Sequence, residues 1–179
     1  MSVARRRGVD AGGEVRASAL HGRGVFATRR VRRGTRVLEY LGERISHAEA
    51  DRRYEHKQVA DNHTFLFIVD ACTVIDAGVG GNEARFVNHA CKPNCESVIE
   101  DGRVFIDALR TIEPGEELTY DYQIQRDPDD PPDIDEIFSC RCGHAACRGT
   151  MLWPARRLAP RGARRACGVT TGGRGRSAS

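Results

Sequence analysis

Apolar runs in this sequence are short, and nearly every one is closed by glycine, proline or aspartate, so the chain is confined to a fold of small strands. Glu14 to Leu20 alternates in polarity as a half-buried strand does, and the loop His21-Gly22-Arg23-Gly24 follows. Val37 to Leu41 reads as another strand, and Phe65 to Val69 and Thr73 to Ile75 as two more around a turn at Asp70-Ala71. Val98–Ile99 and Val104 to Ala108 flank Asp101-Gly102, a dipeptide suited to a tight hairpin turn because both residues tolerate positive φ. Pro114-Gly115 leads into a strand over Glu117 to Tyr120. Ser46-His47-Ala48-Glu49 is a capping box, which predicts a polar helix running to about Lys57. Many short strands with one or two short helices predict a mostly β domain, not a doubly wound parallel sheet.

The 179 residues suffice for one compact domain with short extensions. Residues 1–13 read as a flexible leader. Asp127 to Glu136 holds six acidic residues and three prolines, which predicts an exposed linker, taken here as 123–136. Residues 154–179 carry seven arginines and no Asp or Glu, and this composition predicts a disordered tail. Net charge is +3, but removing that tail leaves 21 basic against 25 acidic residues. The body is therefore mildly acidic, which suits a basic substrate. No apolar run approaches the roughly 18 residues needed to span a membrane, and none follows the N-terminal arginines as in a secretory signal. The expectation is a soluble intracellular protein.

Seven cysteines is a high and odd count. A disulfide framework calls for an even number and an export signal, whereas clustered thiols in a reducing compartment point to metal. Cys140-Arg141-Cys142 is followed by four residues and then Cys147, with Gly143 and Gly149 giving a permissive backbone. Three thiolates can surround one zinc ion, which in a closed structural site takes four ligands. The candidates for the fourth are Cys91, Cys95 and His144. Cys72 and Cys167 have no neighbour in sequence and read as ordinary thiols.

Four blocks, in order, carry a family resemblance. Arg85-Phe86-Val87-Asn88-His89-Ala90-Cys91-Lys92-Pro93-Asn94-Cys95 resembles the Asn-His signature of SET-domain protein lysine methyltransferases. His21-Gly22-Arg23-Gly24-Val25-Phe26 resembles the family's N-terminal cofactor loop, and Gly115-Glu116-Glu117-Leu118-Thr119-Tyr120-Asp121-Tyr122 its C-terminal catalytic strand. Cys140 to Cys147 resembles its post-SET zinc segment. The resemblance implies a SET domain over 14–122 and a post-SET segment over 137–153, with several small sheets around a threaded, knot-like crossing. It implies S-adenosylmethionine as methyl donor, held by His21, Arg23, Phe65, Asn88, His89 and the backbone of Arg141. It selects Cys91 as the fourth zinc ligand beside Cys140, Cys142 and Cys147.

The resemblance also gives roles to tyrosines. Tyr122 matches the catalytic tyrosine, Tyr120 the neighbour that governs methylation number, and Tyr40 a further channel residue. Tyr54, on the polar helix, stands where members often face substrate. A tyrosine at 120 implies mainly monomethylation. Two departures stand out: Phe65 replaces a tyrosine that contacts the donor in many members, and Ala90 replaces a common serine. The implied substrate is a lysine on a histone tail or other basic protein, and the basic tail could contact nucleic acid or chromatin, which would place the chain in the nucleus or on chromosomes. Two other readings compete: a non-catalytic SET-like zinc module that binds basic peptides, and a polyanion binder acting through the tail. The intact Asn88-His89 and Tyr120-Asp121-Tyr122 oppose the first. The absence of aromatic residues among the tail arginines opposes base stacking in the second.

Overall fold

The computed structural model describes residues 13–55, 64–127 and 130–154. The expected leader up to residue 12 and the expected tail from 155 lie outside the described residues, as does the predicted end of the polar helix at Lys57. The architecture is mostly β, in five small sheets. Strand β1 (Gly13–Ala17) pairs antiparallel with β2 (Arg23–Ala27). β3 (Arg36–Tyr40), β8 (Cys95–Glu100) and β9 (Arg103–Ala108) form a three-stranded sheet in the order β3-β9-β8. β4 (Glu43–Ile45), β5 (Leu66–Ile68) and β6 (Val74–Asp76) form another in the order β4-β6-β5. Two parallel pairs complete the fold, β7 (Asn88–His89) with β10 (Thr119–Tyr120), and β11 (Ile124–Gln125) with β12 (Leu152–Trp153).

The local reasons match the sequence. Asp101 at φ 51° and Gly102 at φ 71° supply the two left-handed residues of the β8–β9 turn. The hairpin is longer than the predicted strands, because Cys95 and Ala108 already pair. Helix α1 (His47–Tyr54) starts at Ser46, whose hydroxyl accepts the Glu49 N–H. β1 ends earlier than predicted because Ser18 turns the chain: its N–H donates to Gly22 O and its Oγ accepts the Leu20 N–H. The acidic linker is not simply exposed. It contains a helical turn, α2 (Ile134–Ile137), with Ile134 buried.

The core gathers Val25, Val37, Val87, Val104, Ile106, Ile112 and Leu118 between the sheets. Each such side chain fully removed from water contributes about 1.5–3 kcal/mol. A second, polar anchor is Asp76, buried at the end of β6. Its Oδ1 accepts from the Tyr54 hydroxyl at 2.9 Å and the Gly78 N–H at 2.9 Å, and its Oδ2 from Arg53 at 3.0 Å. α1 is thereby tied to the middle strand of its sheet. Beside it the backbone is pinched. A Cβ on Gly42 would stand 2.5 Å from Asp76 O, and one on Gly81 2.1 Å from Ala77 O, so glycine is required at both.

Segments 88–94 and 117–122 lie side by side where β7 meets β10 in a parallel crossing. Asn94 clasps it: its Nδ2 donates to Glu117 O at 2.8 Å and its Oδ1 accepts the Thr119 N–H at 2.8 Å. No helix among the described residues is long and apolar enough to cross a membrane.

Candidate active site and cysteine cluster

The crossing brings together residues from every block singled out in the sequence. The rings of Tyr120, at the end of β10, and Tyr122, just beyond it, have centroids 4.8 Å apart. Phe67 of β5 lies 6.4 Å from Tyr120 and 5.4 Å from Tyr40 of β3. Four rings, from β3, β5, β10 and the segment just after β10, thus form one aromatic cluster, called the tyrosine pocket. The Tyr122 hydroxyl donates to Val87 O at 2.9 Å, while those of Tyr40 and Tyr120 make no hydrogen bond among the described residues. Burial pushes all three phenols well above the usual tyrosine range, with neighbouring Tyr122 adding for Tyr40 and Tyr120 and Glu117 adding for Tyr122. The pocket therefore offers neutral phenols. Asp121 faces the other way, paired with both guanidinium nitrogens of Arg148 at 2.7 and 2.8 Å. Burial would raise its pKa, but Arg148 outweighs this and the net shift is downward.

Next to this pocket lies the loop between β1 and β2. Asn88 Nδ2 donates to His21 O at 3.2 Å, Arg23 O at 2.9 Å and Glu117 Oε1 at 2.7 Å. The Glu117 carboxylate also accepts from Ser18 Oγ through both oxygens, at 2.8 and 2.9 Å. One amide and one carboxylate thus pin the loop to the crossing. Arg23 lies over the Phe86 ring at 4.4 Å, and Phe86 meets Phe65 edge-on at 5.6 Å. His21, Arg23, Asn88 and Phe65 are accordingly one neighbourhood. The Arg23 cation and the Phe65 and Phe86 rings stand together beside this pinned loop.

His89 is buried, and both its ring nitrogens are engaged. Nδ1 accepts the Tyr122 N–H at 3.2 Å, and Nε2 is 3.6 Å from Cys91 Sγ. Burial holds its pKa down to about 4 against the opposing charge of Asp121. Its side chain is therefore committed within the protein, and its backbone lies in the β7–β10 pair opposite Tyr120. Arg141 is exposed, with no side-chain hydrogen bond among the described residues.

The sulfurs of Cys91, Cys140, Cys142 and Cys147 all lie within 4.8 Å of one another. Cys91 Sγ is 3.5 Å from Cys140 Sγ and 3.8 Å from Cys147 Sγ. Sulfurs bound tetrahedrally at about 2.3 Å from zinc stand roughly 3.8 Å apart, so the four thiols fit that ion. The Arg148 N–H points to Cys91 Sγ at 3.3 Å and the Gly149 N–H to Cys147 Sγ at 3.4 Å, as suits thiolates. Cys142 is pulled down to about 7: burial opposes this, but the backbone of Cys91 and of His144 and the neighbouring thiols prevail. Cys95 is buried on β8, its thiol pushed up to about 12 by burial, and His144 Nδ1 is occupied by the Ala146 N–H. Neither belongs to the sulfur group.

The sequence assigned no separate role to Phe67, Glu117, Asp121 or Arg148. Phe67 could have been found from alternation with Phe65. Arg148 carried no signal beyond its place after Cys147.

A small β fold that joins an aromatic, phenol-lined pocket to a four-thiol cluster through a parallel crossing defines a narrow class of protein. The SET domain family model matches residues 22–123, and the chain belongs to the SET-domain family. It is 40% identical over 135 residues to histone-lysine N-methyltransferase trithorax of Drosophila melanogaster, covering 73% of this chain and 3% of that protein. It is 42% identical over 141 residues to the H3 lysine-4 specific histone-lysine N-methyltransferases of Emericella nidulans and Saccharomyces cerevisiae, covering 75% of this chain and 11% and 12% of those proteins. The chain thus spans a small part of the length of the relatives it matches.

Proposed function

We propose that the chain is an S-adenosylmethionine-dependent protein lysine N-methyltransferase acting on a histone tail or another basic protein, as the names of its relatives suggest. The observation that carries this reading is the pocket of buried, neutral phenols, with Tyr40 and Tyr120 hydroxyls uncommitted, beside the loop pinned by Asn88. Methyl transfer from a sulfonium is an in-line displacement, in which positioning does most of the work. The donor supplies the activated methyl group when bound; His21, Arg23, Asn88, Phe65 and the backbone of His89 and Arg141 would hold it. The attacking lysine must be neutral, and burial among aromatic rings favours loss of its proton. A carboxylate beside the amine would oppose that loss; Asp121, between the two tyrosines, is bound to Arg148, and Glu117, which bears on Tyr122, accepts from Ser18 and Asn88. Tyr40 and Tyr120 can accept from or donate to the amine without trapping its proton.

Zinc, held by Cys91, Cys140, Cys142 and Cys147, would fix the segment after 137 against the crossing. We take 14–122 as the SET unit, 123–136 as a linker and 137–153 as the post-SET unit, and mainly monomethylation as the outcome. The basic residues beyond 154 would favour contact with chromatin or nucleic acid and a nuclear or chromosomal location. Incubating the purified chain with labelled donor and histone H3, with masses read on the products, tests the proposal; no label on any lysine of a basic protein would reject it.

A further inference from the structure

Two contact routes leave the sulfur of Cys91 and meet again one residue apart, at Asp121 and Tyr122, just after β10. In the first, the Tyr122 N–H donates to Nδ1 of His89 at 3.2 Å, and Nε2 of the same ring lies 3.6 Å from Cys91 Sγ. Because Nδ1 accepts, a neutral imidazole carries its proton on Nε2 and points it at the sulfur. In the second, the Arg148 N–H points to Cys91 Sγ at 3.3 Å while its guanidinium holds both oxygens of Asp121. A bidentate guanidinium–carboxylate pair fixes orientation as well as distance. The His89 and Asp121 side chains also face each other, with Asp121 Oδ1 3.5 Å from Nδ1. That is too long to compete with the Tyr122 N–H for the nitrogen, and both Asp121 oxygens already receive Arg148.

We propose that His89 and Arg148 are positioning residues that lock the tyrosine strand to the metal-bearing cluster through Cys91. The lock rests on the methyltransferase reading for its catalytic consequence, but not for its structure. A thiolate bound to metal is a better acceptor for two N–H donors than a thiol, so metal at the cluster strengthens both routes at once. Outer hydrogen-bond partners of metal ligands commonly change activity by about 10–100-fold when removed. Loss of metal would release residues 121–122 and let the Tyr120 and Tyr122 rings move, without touching either ring.

The test uses the full zinc-loaded chain. Long-range proton–nitrogen NMR of the histidine rings, with His89 assigned by a His89→Asn variant, is expected to show Nε2 protonated and Nδ1 bare; a proton on Nδ1 overturns the lock. Hydrogen exchange at the Tyr122 amide is expected to quicken when zinc is chelated, and an unchanged rate also overturns it. For Arg148→Ala, the expected result is one zinc per chain, donor affinity within a few fold and turnover down by about 10–100-fold. The double variant Arg148→Asp with Asp121→Arg should recover part of that loss. Wild-type turnover in Arg148→Ala, or loss of zinc and donor binding in step with turnover, overturns the proposal. If the wild-type chain transfers no methyl, the NMR and exchange results still decide the lock while the activity reading fails.

Discussion

The hydroxyl of Tyr122 is committed to the carbonyl oxygen of Val87, 2.9 Å away and just before the Asn88-His89 pair. This bond spans the crossing and fixes the ring of one tyrosine by the chain segment on the other side. The hydroxyls of Tyr40 and Tyr120 have no such bond among the described residues, so the pocket contains one anchored phenol and two available ones.

Removing the anchor should slow chemistry more than it weakens donor binding. In Tyr122→Phe the lost hydrogen bond is worth about 1–2 kcal/mol, or roughly tenfold or more in turnover if the ring is mispositioned at the reacting amine. Single-turnover kinetics with donor titration separates the two quantities. Wild-type turnover would reject the role given to Tyr122.

Tyr120→Phe should shift products toward higher methylation states. An available hydroxyl at Tyr120 can hold the amine or a water and so hinder a methylated amine from turning back into line. One hydrogen bond of about 1–2 kcal/mol biases the product roughly tenfold. A time course of product masses on a peptide substrate reads this directly; efficient trimethylation by both proteins would rule out the role.

Cys142→Ser should release the metal. The four sulfurs lie within 4.8 Å of one another, and a site lacking one ligand binds far more weakly because metal binding and folding of such a segment are coupled. Elemental analysis is expected to give one zinc per wild-type chain and much less than one for the variant. A wild-type chain purified without chelator and free of zinc would refute the assignment.

Asp76→Ala should cost about 2–3 kcal/mol of stability, since it leaves Arg53 and the Gly78 N–H without their buried acceptor. Asp76→Asn should cost less, because the amide oxygen still accepts. Denaturant unfolding at constant m-value measures both. Equal stability of Asp76→Ala and wild type would show that the carboxylate does not anchor α1.

Stability should fall in acid partly through Glu49. Its bonds to Arg52 and then Arg53 lower its pKa to about 2 in the folded chain, against 4.5 as the ordinary value. The folded form therefore stays ionised where the unfolded form takes up a proton, so the contribution is complete above about 4.5 and is lost as pH falls from there towards 2. In Glu49→Gln this part of the pH dependence should vanish. Melting curves from pH 6 to pH 2.5 that keep the same separation between the two proteins would contradict it.

How far the residues spoke for themselves varies by element. The Asp101-Gly102 hairpin and the Ser46 cap were legible because turn and cap chemistry is local. Three of the four thiols were legible from spacing alone, whereas Cys91 stood level with Cys95 and His144 until the family resemblance selected it: it is 49 residues from Cys140, and spacing offers no measure of such a distance. The same limit hid the pairing of Arg148 with Asp121 and of Glu117 with Ser18. The short helix in the acidic linker was missed because three prolines outweighed one buried isoleucine in the reading.

The parallel pairing of β7 with β10 has a consequence for how the chain is made. Asn88 leaves the ribosome 31 residues before Thr119, its strand partner, and Cys91 leaves 49 residues before Cys140 and 56 before Cys147. During elongation the Asn88–Cys91 segment therefore waits without its partners until residues 119 to 147 have been made. At a pace of about 5–20 residues per second that wait lasts seconds. A nascent chain halted before residue 140 would present Cys91 with none of the three sulfurs that cluster with it.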